Sequence, residues 1–91
     1  MSNAAANRVV EVTTNDTLEG IGMVNGITVA ASGGAASVEI WGSFAPGQTA
    51  VRIATIQAPS AETTHIPFYC TGILNLETRA ISNARVYIHF A

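Results

Sequence analysis

Seventeen residues of the chain are valine or isoleucine against three leucines, and ten threonines add further branching at Cβ. A side chain branched at Cβ loses rotamer freedom against the preceding turn of a helix but packs well on a pleated sheet. The chain is therefore expected to be all-β, and long helices are not supported. Its 91 residues can build one hydrophobic core and not two. A single β domain is expected over residues 8–91, preceded by a flexible arm over residues 1–7.

Alternation of apolar and polar residues locates the strands. Near the end of the chain Val86, Ile88 and Phe90 share one face while Arg85, Tyr87 and His89 share the other, the pattern of a half-buried strand. Over residues 37–44, Val38, Ile40 and Phe44 oppose Glu39, Trp41 and Ser43, and Gly42 falls on the apolar face. A glycine there marks a bulge or a close approach by a neighbour. Residues 27–31 read as the hairpin partner of this strand, joined to it through Ser32, Gly33 and Gly34, which supply the positive φ angles of a tight reversal.

Ala45, Pro46, Gly47 and Gln48 have the order of a type II turn, with proline fixing φ and glycine in the left-handed position. Val51 and Ile53 then alternate with Arg52 and Ala54, but Ile56 is out of phase, which implies a bulge or a strand buried on both faces. Ile66, Phe68 and Cys70 alternate against His65, Pro67 and Tyr69. Pro67 has no N–H to give to a ladder, so this segment belongs at a sheet edge or at a bulge. Residues 8–13, 18–23 and 73–78 complete a set of seven or eight short strands. Such a set, punctuated by Gly, Pro and Asn turns, fits a compact antiparallel β-sandwich of jelly-roll or immunoglobulin-like type, or a small barrel.

Charge narrows the function classes. Only 11% of the residues are Asp, Glu, Lys or Arg, where soluble domains carry about 25%, and all four cationic residues are arginines. The surface must be covered by small polar residues or buried in part against something else. Beside 48% hydrophobic residues, this is the balance expected of subunits that share apolar area across interfaces. A net charge of −2 with no basic run gives nothing to neutralise a phosphate backbone, so nucleic acid is not an expected partner.

Residues 20–38 carry no charge and are nearly long enough to cross a bilayer. Asn25 with Gly26, and Ser32 with Gly33 and Gly34, cut the stretch into short pieces, so no membrane partner is expected either. Residues 1–7 lack a basic segment followed by an apolar run, so no secretory signal is read there. The single cysteine, Cys70, cannot form an internal disulfide and reads as a small buried residue of its strand.

Residues that could carry chemistry are few. Without lysine there is no phosphate-binding loop, Schiff base or catalytic ammonium. Gly20, Gly22 and Gly26 come close to a dinucleotide-binding loop, but the last glycine is one place late and no helix follows. His65, His89, Cys70 and Glu62 show none of the close paired spacings of a metal site, so neither a metal nor a cofactor is expected. No Gly-x-Ser-x-Gly elbow is present, and Glu39 or Glu77 would meet His89 only if the fold brought them together. No catalytic residue is assigned, and both histidines read as exposed or interfacial imidazoles.

The outward aromatics Trp41, Tyr69 and Tyr87 are more suggestive. Large amphipathic rings on polar strand faces serve as interface anchors or sugar-stacking platforms, unless loops cover them.

Taken together, the small size, the lysine-free, Ala/Gly/Thr-rich composition, the N-terminal arm and strands such as residues 36–41 and 84–90 give the chain its likeness. It resembles small accessory virion proteins of tailed bacteriophages, particularly capsid decoration or cement proteins. The resemblance covers most of the chain and transfers no residue individually. It implies a non-enzymatic structural protein, made in the host cytoplasm and carried on the capsid surface. As a symmetric oligomer, a trimer by preference, it would bridge joints between major capsid subunits or other virion proteins. Candidate contact residues are Trp41, Arg52, Tyr69, Arg85 and Tyr87, with residues 1–7 ordering on a neighbour. The alternative is a carbohydrate- or receptor-binding module using the same aromatics, and a small hydrolase working through His65 or His89 ranks last.

Overall fold

A computed structural model describes residues 8–90; the expected arm over residues 1–7 lies outside them. Six strands form one antiparallel sheet: β1 (Arg8–Val12), β2 (Asp16–Ala31), β3 (Ala36–Ser43), β4 (Val51–Ala58), β5 (Thr63–Ser82) and β6 (Ala84–Phe90). There is no helix among the described residues, and so none long and apolar enough to cross a membrane. The sheet order is β1-β6-β2-β5-β3-β4.

The eight segments read from alternation are all present, but four of them merge in pairs. Residues 18–23 and 27–31 fall within the single strand β2, and residues 65–70 and 73–78 within β5. Glycine, which reads in sequence as a break, acts here as a bend. Gly20, Gly22 and Gly72 all have φ between 72° and 77°, a left-handed conformation that only glycine adopts freely, and the β2–β5 register slips between Glu19 and Met23. Slips of this kind kink and twist a strand without ending it.

Partners change across the bend. Residues 16–19 of β2 lie beside residues 75–78 of β5, whose other neighbour is β3. Residues 22–31 lie between β6 and residues 63–73. The one sheet thus folds over into two layers. Numbering the eight segments along the chain, the first layer runs 1-8-3-6 and the second 2-7-4-5, which is the order of a jelly roll. β1 and β4 remain as the outer strands of the sheet, so it is a sandwich and not a closed barrel.

The hairpin expected between residues 27–31 and 37–44 does not form. Both edges of this half of β2 are taken, by β5 and β6, so the glycine-rich link carries the chain across to the second layer. It is held there by the Ser32 N–H, which donates to the Asn83 carbonyl at 2.7 Å. The type II turn is present: Gly47 has φ 77°, and the Gln48 N–H donates to the Ala45 carbonyl at 3.1 Å. The phase change before Ile56 is a bulge, because Ile40 faces Ala54 while Trp41 faces Arg52, leaving Ile53 unmatched. Gly42 marks a close approach, since a Cβ there would lie 2.7 Å from Ile53 Cδ1. Pro67 has both expected features. It faces Gly26 across a register slip, and β3 pairs with β5 only from Asn75 onward, leaving the other edge of the Pro67 segment open.

The core lies between the layers. Val24, Ile27, Val29, Val86 and Ile88 meet Val38, Ile40, Ile56 and Leu76, all fully buried, and Cys70 packs half-buried against them. Thr78, buried among these aliphatics, is satisfied: its Oγ1 accepts from the Asp16 N–H at 3.0 Å and donates to the Thr14 carbonyl at 3.3 Å, as a buried hydroxyl requires. The chain exposes 4932 Å², against about 5000 Å² for an ordinary folded monomer of this mass. It therefore closes its core without borrowing one from a partner.

Candidate ligand-binding face

Strand parity gives each layer one face for the core and one for solvent. The candidate contact residues divide between the two outer faces: Trp41 and Arg52 stand on the second layer, Tyr69, Arg85 and Tyr87 on the first. They do not form one surface.

On the second layer Trp41 is engaged within the chain. The Arg79 guanidinium lies 4.1 Å from its ring centroid, in the range of a cation–π contact. Its Nε1–H donates to Glu39 Oε1 at 2.9 Å. Arg79 in turn holds Glu77 at 2.8 Å, and Glu39 is 4.0 Å from Arg52. Glu39, Arg52, Glu77 and Arg79 on this face are paired among themselves. On the first layer the Tyr87 hydroxyl donates to Glu11 Oε2 at 3.0 Å, whereas Tyr69 is 74% exposed.

The same face holds an arrangement that alternation does not reveal. His65 on β5 and His89 on β6 belong to strands separated by β2, and their rings reach over it from both sides. Thr28 Oγ1 is the meeting point, 2.7 Å from His65 Nδ1 and 2.9 Å from His89 Nε2. The rings stand edge to face with centroids 5.4 Å apart. Gly26 makes room, because a Cβ there would lie 3.1 Å from His65 Cε1. Beside the pair opens a depression of about 390 Å³ lined by Asn25, Gly26, His65, Tyr69 and His89, within the size range of small-molecule sites.

Parity correctly put both histidines on a polar face, but only the strand order brings them together over Gly26 and Thr28. Glu39 and Glu77 are engaged on the opposite outer face, so neither orients His89. Among the described residues no group of three or more His, Cys, Asp or Glu side chains is placed to hold a metal ion.

A second asymmetry runs along the sandwich. Among the described residues, the large hydrophobic side chains that stay exposed are Val9, Met23, Phe44, Val51, Tyr69 and Leu74, between 36% and 74% accessible. The register puts all six near the glycine bend. Met23 and Leu74 flank it, Phe44 follows the Ser43–Asn75 pair, and Val51 faces Gly42. Tyr69 and Val9 lie within a residue of the Cys70–Val24–Phe90–Arg8 row that closes the first layer. The opposite end, where residues 32–35, 59–62 and 83 cross between layers, has none of them. Phe44 reads in sequence as a core residue of its strand, yet it lies one place beyond the end of β3 and is 39% exposed.

Comparison with protein-family models, with curated proteins and with solved structures finds no match.

Proposed function

We propose that the chain is a non-enzymatic virion structural protein that decorates an assembled capsid, binding across subunit joints as a symmetric oligomer, preferably a trimer. The observation that supports this reading most is the gathering of the six exposed large hydrophobics among the described residues at one end of the jelly roll. Exposed apolar area concentrated in one place marks a protein-interaction surface, whereas single scattered residues do not. The Trp41 face, where Glu39, Arg52, Glu77 and Arg79 pair among themselves, suits close packing beside a neighbour. Because the monomer completes its own core, docking adds stability by mass action: a fold bound only in the assembled state is held there by its partner.

Co-sedimentation with shells assembled without the protein tests the proposal. The expected result is saturable pelleting with the shells, and an oligomer by light scattering. A monomer that stays in the supernatant at every concentration contradicts it.

The exposure of Tyr69 beside the His65–His89 depression favours a second reading, a carbohydrate- or receptor-binding module. Retention on a glycan matrix without any affinity for shells would decide for it.

A further inference from the structure

From the Thr28 bridge we infer that the depression lined by Asn25, Gly26, His65, Tyr69 and His89 is a binding site for a neutral polyhydroxylated ligand, a saccharide ring. The inference deepens the second reading and shares only Tyr69 with the docking end.

A threonine hydroxyl has one hydrogen to donate and can accept others, and a neutral imidazole has one N–H and one bare nitrogen. Thr28 Oγ1 is within hydrogen-bond distance of a ring nitrogen on each histidine; with both rings neutral and its own hydrogen given to one of them, it accepts from the other. If His65 Nδ1 carries the hydrogen, His65 Nε2 is bare. His89 Nε2 then receives the threonine hydrogen, and His89 carries its own hydrogen on Nδ1. The reverse assignment exchanges the roles. In either case the two outer nitrogens, which have no hydrogen-bond partner among the described residues, present one donor and one acceptor.

This complementarity selects a ligand class. An anion asks for two donors and a metal ion for two lone pairs, and the tautomers coupled through the threonine hydrogen offer neither. Neighbouring hydroxyls of a pyranose both give and accept, and so match one donor beside one acceptor. The rest of the lining agrees: among the described residues it contains no carboxylate, guanidinium or ammonium group, so none of them calls for an ionic ligand. Tyr69, 74% exposed, offers a ring face on which the C–H side of a sugar can stack. Gly26 keeps the floor open where any side chain would meet the His65 ring.

Saturation-transfer NMR on the full chain, with methyl glucoside, methyl galactoside, methyl mannoside and N-acetylglucosamine as probes, tests the site. Transfer to at least one sugar is expected. Tyr69→Ala should weaken binding about tenfold or more, and Thr28→Val, which uncouples the tautomers, should weaken it severalfold, with unchanged unfolding temperature for Tyr69→Ala. Absence of transfer to the whole panel, equal transfer in the Tyr69→Ala variant, or a response to sulfate or Ni²⁺ in place of sugar would each overturn the inference. Shell co-sedimentation of the Thr28→Val variant, which leaves every exposed side chain at the bend in place, separates this outcome from failure of the docking proposal.

Discussion

Leu76→Ala is expected to remove about 2–5 kcal/mol of folding stability, the range for deleting a buried leucine side chain where the surroundings cannot collapse. Leu76 is fully buried and sits in the second half of β5, facing Leu18 on one side and Gly42 on the other. It is one of only three leucines, and the other fully buried side chains of the core are isoleucine, valine and threonine, whose branching at Cβ restricts χ1 and leaves them poorly able to move into the space. A domain of this length has roughly 5–14 kcal/mol in total, so the loss is a large fraction of it. Thermal unfolding of the purified variant should shift down by about 10–30 °C. A shift of only a degree or two would mean that the two layers do not pack on Leu76.

Replacing both Phe44 and Leu74 with serine should have the opposite profile, leaving stability nearly unchanged and removing affinity for shells. Both side chains are already about 40% exposed in the free protein, so substitution forfeits little of the core, within about 1 kcal/mol. Burying their remaining apolar area against a partner is worth about 1 kcal/mol each, or roughly a 10- to 100-fold loss of affinity per subunit. In a trimer the loss multiplies across three simultaneous contacts. Co-sedimentation and a melting curve measured on the same preparation check both halves. Full binding by a stable double variant would move the docking surface elsewhere.

What could be read from the sequence depended on how locally each feature is determined. The C-terminal strand was legible because burial on one side writes a period of two directly into Val86, Ile88 and Phe90. The Pro46–Gly47 turn was legible because its φ angles demand those residues. Pro67 and Gly42 announced an irregularity, and register shows which one: a slip opposite Gly26 along an open edge for the first, the Ile53 approach for the second.

Gly20, Gly22 and Gly72 misled, since a left-handed glycine serves equally to end a strand or to bend it. The pairing on either side of the glycine decides, and pairing is long-range. The same ambiguity turned the Ser32–Gly34 link into an apparent hairpin. His65, Thr28 and His89 were out of reach for a related reason: they meet only because β2 lies between β5 and β6, and no spacing along the chain encodes that neighbourhood. The apolar end was hidden likewise, because Phe44 and Val51, far along the chain from the glycines that Met23 and Leu74 flank, reach the bend only after the sheet folds over.

The central claim is that the glycine bend of the jelly roll is its docking end. Hydrogen exchange on the protein bound to shells, compared with the free protein, tests this most directly. Slower exchange is predicted over residues 42–52 and 71–76, with residues 31–36 and 58–63 unchanged. Slowing confined to those crossover loops, or spread over the outer face of β3 and β4 with none at the bend, would contradict the claim.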